Sequence, residues 1–290
     1  MFSQQLINGL TLGTIFALVA LGYSMVYGVL FFVNFAHADV MMFGAYFCLV
    51  FLSSGVPVVL SVILAMVCCA VMGAVIEFVA YRALRGSSRL AAMASALGVS
   101  TALQIAAQLI FGSQTRSMRG HLSFEVKQYY ITDNAYITNL QMLTIVVAVC
   151  MMAALQFYLK KTRSGKALRA TAQDREAASL MGINTNRVIS QTFMIGSALA
   201  AVGGFLVAAT YDAVYPTMSI SVGNKAFASA ILGGIGNIPG AMIGGVLIGI
   251  VESLGAAYLS SSYRDAIAFV VLILVLLIKP TGIMGRREKK

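Results

Sequence analysis

The sequence predicts an all-α, polytopic membrane protein: a single membrane-spanning domain over residues 1–290, with about eight transmembrane helices and one or two broken or re-entrant segments. Two observations predict it. Of the 290 residues, 59% are hydrophobic and only 10% charged, with a mean hydropathy of +0.87, where a soluble domain carries about 25% charged residues. Several apolar runs also reach the ~20 residues needed to cross ~30 Å of hydrocarbon. The short alternating segments of a β-barrel are missing.

The first apolar run spans residues 6–31 and is read as a retained span. No Lys or Arg precedes Arg82, so it has no basic leader flank of a cleavable signal. Gly9 and Gly13 form a GxxxG pair that lets a neighbouring helix approach. VNFAHADV, residues 33–40, then places Asn34, His37 and Asp39 between two apolar runs without a Gly-Pro turn. Apolar character resumes from Val40 to Leu52, and Ser53-Ser54-Gly55 with Pro57 makes a turn.

Residues 58–81 form the next span. Arg82, Arg85 and Arg89 follow with no acid among them, which predicts a cytoplasmic loop. Residues 90–111 cross back. Residues 112–139 form a long polar loop expected outside, with YYIT at 129–132 as a short strand. Residues 140–159 cross again. In the loop 160–187, seven basic residues (Lys160, Lys161, Arg163, Lys166, Arg169, Arg175 and Arg187) face only Asp174 and Glu176. It and the basic tail (Arg286, Arg287, Lys289, Lys290) are expected to be cytoplasmic. Residues 188–210 go out, and Asp212, Pro216 and Lys225 mark an outer loop.

KAFASAILGGIGNIPGAMIGG, residues 225–245, has an apolar part too short to span, ending in Gly233, Gly234, Gly236 and Pro239. It reads as a half-helix, which is tolerated at membrane depth only where protein or a cavity surrounds it. Residues 240–259 then span, with Gly240/Gly244 and Gly245/Gly249 as further GxxxG pairs, and residues 266–279 complete the set. The net charge of +10 is explained by these loops. Nucleic-acid binding is not expected, because no basic stripe is interleaved with aromatics. Cys48, Cys68, Cys69 and Cys150 lie in apolar runs without CxxC spacing, so no metal or redox site is expected.

The charged loop carries the most detailed local signal. Asp174 suits an N-cap, and Thr171 offers a variant capping box. Residues 175–181 make about two turns. Gly182 suits the left-handed C′ position, with Ile183 closing back onto Ala178. Ala177, Ala178 and Met181 are expected to share a face on which small alanines admit a close partner. Asn184, Thr185 or Asn186 can cap the span that follows. The plain alternative is a solvated connector, basic only to set topology.

Ionisable and polar groups at membrane depth are functional candidates. Asn34, His37 and Asp39 interrupt one apolar stretch; Asn224, Lys225, Gly233, Gly234, Gly236 and Asn237 surround a second interruption. Two broken segments in opposite halves are the form in which transporters build midplane sites. The alternative is that 33–40 is an ordinary turn with His37 on its surface. No cofactor is expected: Gly165-Lys166 lacks the rest of a phosphate loop, and Pro239 takes the last place of the GxGxxG begun at Gly234. With two histidines in the chain and no HExxH or GxSxG, it does not read as an enzyme.

Five blocks in order, NGLTLGTIFALVALGYSMVYG, VNFAHADV, RATAQDREAASLMGINTNRV, KAFASAILGGIGNIPGAMIGG and KPTGIMGR, resemble the branched-chain amino-acid permease family of ATP-driven importers over nearly the whole chain. Within them Glu176-Ala177-Ala178 and Gly182 resemble the EAAxxxG signature of importer permeases. The wider signature continues to an apolar-Pro ending, whereas Thr192 to Ile195 carry no proline, so the resemblance is to this subfamily. It implies a multi-pass permease subunit of the bacterial inner membrane for branched-chain or other hydrophobic amino acids. The partners implied are a second homologous permease, two cytoplasmic ATPases and a periplasmic binding protein. Arg175, Glu176, Ala177, Ala178, Met181 and Gly182 are then expected to couple to an ATPase, and Arg116, Arg119, Glu125 and Lys127 to help dock the binding protein. Two other readings stay open: a related permease for urea or a short amide, and a secondary transporter or channel working without a motor.

Overall fold

A computed structural model describes residues 1–84, 88–122, 124–132 and 135–285. Arg85 and the tail cations Arg286, Arg287, Lys289 and Lys290, which contribute to the topology expectation, lie outside the described residues. The chain is helical, as predicted. Among the described residues, seven helices are long and apolar enough to cross a membrane, and an eighth, shorter apolar helix covers His37–Ser53, in line with about eight crossings.

Helix α1 (Phe2–Leu30) is the axis of the molecule. It carries no charge and nearly every side chain from Thr11 to Val26 is buried. Where a lipid-facing helix would keep one side free, α1 is surrounded. Helices α8 (Thr185–Tyr211), α9 (Met218–Gly233) and α10 (Ile238–Tyr258) pack round it, α5 (Asn139–Lys161) lies along one side, and α2 (His37–Ser53) touches it only briefly. Together with α5, helices α3 (Val58–Ile76), α4 (Arg89–Phe111) and α11 (Arg264–Ile278) form the outside. These outer helices expose large apolar side chains such as Val59, Leu109, Val146 and Ile278, as expected where lipid is the solvent.

The α1–α10 crossing explains the glycine pairs. A Cβ added at Gly9 would stand 2.7 Å from the Ile250 Cα, and one at Gly13 2.7 Å from the Val246 Cα. From the other side Gly249 faces Gly13, and Gly245 faces Ala17. Packing of this closeness is the main attraction between helices in lipid, where no hydrophobic drive exists between them. Gly13→Leu is expected to leave little folded protein, because backbone on the partner helix cannot move aside. Size-exclusion profiles of detergent extracts read this directly; a parental profile for Gly13→Leu would overturn the packing account.

Helix α3 runs on into a π-helical turn, Glu77–Tyr81. After α4, the expected strand is present as β1 (Gln128–Thr132), paired antiparallel with β2 (Ala135–Thr138), which the sequence did not announce. Thr138 then opens α5 with a capping box through Gln141. The loop between α5 and α8 holds two helices where one was expected. α6 (Arg163–Gln173) starts at a Thr162 cap, and α7 (Arg175–Leu180) follows directly. Gly165 fits against Tyr158 and Leu159 at the end of α5, which turns α6 back on its predecessor.

Helix α9, of 16 residues, spans about 24 Å at 1.5 Å per residue, short of a full crossing. It is the half-helix expected from residues 225–245, although it begins seven residues earlier. Lys225 is therefore not in an outer loop: it lies inside α9, 7% exposed.

Candidate functional site

Two helices begin inside the protein rather than at its edge. Phe31 takes a left-handed φ of 57° after α1 and turns the chain back. Residues 31–36 then re-enter without helical structure. His37, the first residue of α2, sits against Gly22 of α1. Gly22 is eight residues short of the α1 end, so α2 starts about 12 Å inward. Non-helical backbone at this depth is tolerated because protein surrounds it. Asn34, 4% exposed, accepts a 2.6 Å hydrogen bond from the Tyr81 hydroxyl at the far end of the π-helical turn. The turn in α3 thus anchors the break between α1 and α2.

Helix α9 meets α2 at the same depth: Gly223 lies against Ala38, which a Cβ would displace. Between the two helix starts is a pocket of about 150 Å³. Asp39, Ser219 and Asn224 give it polar groups. Tyr23, Phe35 and Phe227 are its aromatic walls, and Leu97, Ser100 and Gln104 of α4 close one side. Asp39 stands in the first turn of α2, where the helix dipole favours a negative charge. Its Oδ1 accepts a 3.0 Å hydrogen bond from Gln104 Nε2; its Oδ2 and the Ser219 hydroxyl are buried with no hydrogen-bond partner.

Of the residues that the sequence singles out at the two interruptions, the structure brings Asp39 and Asn224 to the pocket wall. His37 is buried beside it, edge-on to Tyr23 at 4.9 Å; it is not the surface residue of an ordinary turn. Gly233, Gly234, Gly236 and Asn237 are brought together elsewhere, at the turn from α9 to α10. Gly234 and Gly236 have φ of +102° and +85°, conformations that glycine adopts freely. Asn237 caps α10 through the Gly240 N–H and donates to the Met284 carbonyl. Ile283 and Met284 donate their N–H groups to the last carbonyls of α9, Leu232 and Gly233. The KPTGIMG block is therefore a clasp on this turn. Ser219 and Gln104 were missed, since a lone polar residue on an apolar helix gives no sign of the depth at which it will lie.

A second polar cluster was also missed. Lys225 of α9 pairs with Glu252 of α10 and with Asp265 of α11, both at 2.8 Å, and Arg264 Nε lies 3.2 Å from Glu252. Glu252 is fully buried. The cluster joins three successive helices, but its members lie too many turns apart for any local spacing to announce it.

In the charged loop, the Asp174 side chain accepts from the Ala177 N–H at 2.9 Å, as expected of an N-cap. Gly182, φ +82°, is the C′ residue. Its N–H donates to the Ser179 carbonyl, and that of Ile183 to the Ala178 carbonyl, which is a Schellman closure. Asn184 caps α8. Two details differ. Thr171 donates to Ala167 within α6 rather than joining a capping box. Ala178 is 5% exposed and turned into its own chain, so it does not share an outward face with Ala177 and Met181. Leu180 takes that place: Leu180 and Met181 are 88% and 83% exposed beside the exposed Glu176 and Ala177. Arg175 is half-buried at the helix start.

The polar loop 112–138 is fastened by the arginines expected to dock a partner. Arg116 donates to the Phe111 carbonyl at the end of α4 at 2.6 Å. Arg119 donates to the Ala209 and Thr210 carbonyls at the end of α8. Asp212 accepts from the Ser117 hydroxyl and from the Met118 and Arg119 N–H groups. Partial burial works to raise the Asp212 pKa, but these donors and the Arg119 charge outweigh it and hold the carboxyl below its ordinary range. A depressed carboxylate favours the folded loop at neutral pH, and that contribution is lost only as pH falls through the lowered pKa. Glu125 and Lys127 are exposed.

The comparisons with known proteins fit this architecture. The family model described as "Branched-chain amino acid transport system / permease component" matches residues 5–276. The chain is 43% identical over 297 residues to the high-affinity branched-chain amino acid transport system permease protein LivH of Escherichia coli K12, covering 99% of this chain and 96% of that one. It is 41% identical over 300 residues to BraD of Pseudomonas aeruginosa, a permease protein of the same description, with 99% and 97% covered. The solved structure of PsaBC from Streptococcus pneumoniae in complex with a Fab aligns over 94% of this chain and 91% of that one, with a TM-score of 0.51 at 12% identity. This last likeness concerns the fold. The chain is a multi-pass membrane protein and a member of the permease-component family of branched-chain amino acid transport systems.

Proposed function

We infer that this chain is an inner-membrane permease subunit of an ATP-driven importer for branched-chain or other hydrophobic amino acids, and that it forms one wall of the path the substrate takes. The observation that carries the reading is the full-length membership of a transport-permease family. The pocket between the starts of α2 and α9 supports it, since half-helices meeting at depth are how transporters hold small solutes. Asn224 and Ile220 at its rim are exposed. An amide facing hydrocarbon is costly, so this side of the pocket suits a second permease and a watery path better than lipid.

The remaining partners follow from the same reading. Hydrolysis of ATP takes place on two separate ATPase subunits, and α7, with its outward Ala177, Leu180 and Met181, is the contact through which their movement reaches the membrane. Arg175 and Glu176 lie at the rim of that contact, where charges orient docking more than they add affinity. A periplasmic binding protein delivers the substrate at the opposite face. Arg116 and Arg119 hold the loop 112–138 in shape there, leaving Glu125 and Lys127 as the side chains offered to it.

Uptake of labelled leucine and urea by a strain lacking its own importers, with the chain and its partner subunits restored, tests the substrate and the motor together. Leucine uptake that stops when ATP is depleted is the expected result; urea uptake without leucine, or leucine uptake indifferent to ATP, overturns the reading. Orientation is checked in the same cells with single cysteines. Lys127→Cys should react with an impermeant maleimide from outside and Ser164→Cys should not.

A further inference from the structure

We propose that Asp39 binds the ammonium group of the substrate as it passes through the membrane, with the Ser219 hydroxyl as a second acceptor; this rests on the amino-acid reading above. Asp39 is 1% exposed, and no basic side chain is paired with it among the described residues. Of the other buried carboxylates, Glu252 has Lys225 and Arg264 as counter-ions, and Glu77 accepts a hydrogen bond from the Ser190 hydroxyl. Asp39 instead has only neutral groups beside it: the Gln104 amide on one oxygen, and the Ser100 and Ser219 hydroxyls nearby. An acid kept at this depth without a cation is expensive. The start of α2 offsets part of that cost through its dipole, and a passing cation would supply the rest.

The geometry favours a primary ammonium over other ligands. Such a group carries three donors and no acceptor, and the pocket offers two unpartnered oxygens, Asp39 Oδ2 and Ser219 Oγ, on facing helix starts. The carboxylate end of an amino acid would be repelled by Asp39 and must point away, toward the open side where Asn224 stands exposed. The apolar side chain then has Tyr23, Phe35 and Phe227 to lie against. His37 does not compete as a counter-ion in this arrangement: its ring fills the gap left by Gly22 on α1 and approaches Gly196 of α8.

The test separates the two ends of the substrate. The complete transporter, purified with the subunits that accompany it and placed in lipid nanodiscs, is titrated with labelled leucine, 3-methylbutylamine (ammonium without carboxylate) and 4-methylpentanoate (carboxylate without ammonium). The amine should bind and the acid should not. Asp39→Asn should weaken binding of leucine and the amine by about tenfold or more, the scale set by a lost charge-assisted hydrogen bond, while Asp39→Glu retains most of it. Equal binding of acid and amine, no binding of the amine to the parent, or parental binding by Asp39→Asn overturns the proposal. Should Asp39→Asn fail to accumulate, the amine–acid comparison on the parent and on Ser219→Ala decides. Leucine uptake is read on the same preparation after reconstitution. Intact uptake with no preference for the amine removes this inference alone, whereas no leucine uptake removes the reading beneath it.

Discussion

Ala177→Trp is expected to abolish ATP-coupled leucine uptake while the chain still inserts and accumulates at the parental level. The side chain of Ala177 is exposed, so a tryptophan there meets solvent in the isolated chain and costs the fold little. Against an ATPase seated on this face, as proposed above, the same ring would have no room where Ala177 offers only a methyl group. Leu180 and Met181 extend that face with large apolar side chains standing in an otherwise charged loop, which is the composition of a covered contact. Gly182→Val acts differently: it forces a β-branched residue to φ +82° and loosens the Schellman closure. The measurement is ATPase co-purification together with uptake in one set of membranes. If Ala177→Trp retains both, α7 is not the coupling contact.

The second large effect is on stability. Glu252→Leu should leave much less folded protein, with a marked fall in the thermal midpoint of what remains. Removing one partner of a buried ion pair costs roughly 3–5 kcal/mol, because the other charge stays behind. Here Lys225 stays at 7% exposure and keeps only Asp265, whose side chain is 63% exposed. Asp265→Asn should therefore do far less harm, since water can take its place. Lys225→Met combined with Glu252→Leu should recover part of the loss by removing both charges together. Thermal inactivation followed by size-exclusion of detergent extracts separates the four proteins. A Glu252→Leu protein as stable as the parent would mean that the cluster holds nothing together.

The sequence was most informative where one helical turn decides the outcome. Asp174, Gly182 and Asn184 play the capping roles expected of them because a cap depends on three or four adjacent residues. The spans were legible for a similar reason: about 20 apolar residues in lipid have few structures open to them other than a helix. The glycine pairs could be read as close-approach surfaces, and Gly9, Gly13, Gly245 and Gly249 do meet one another's helices.

Local pattern failed where depth and partner mattered. Lys225, a lone cation near polar residues, has the appearance of a loop marker, yet two acids from helices 27 and 40 residues further on hold it inside. Asn237 and its glycines have the appearance of a pathway, and the tail at Met284 makes them a clasped turn. Ala178 and Leu180 exchanged faces because the rotation of a two-turn helix is set by what it packs on, not by its own residues. Sequence alone determined that this chain is a bundle of membrane helices and that the short helix α7 before α8 is capped at both ends, since the bilayer and the short range of hydrogen bonds leave little choice. Which polar groups meet at mid-depth, with Asp39 facing Ser219 across two interrupted helices, only the tertiary structure decided, because those residues are 180 positions apart and nothing but packing brings them together.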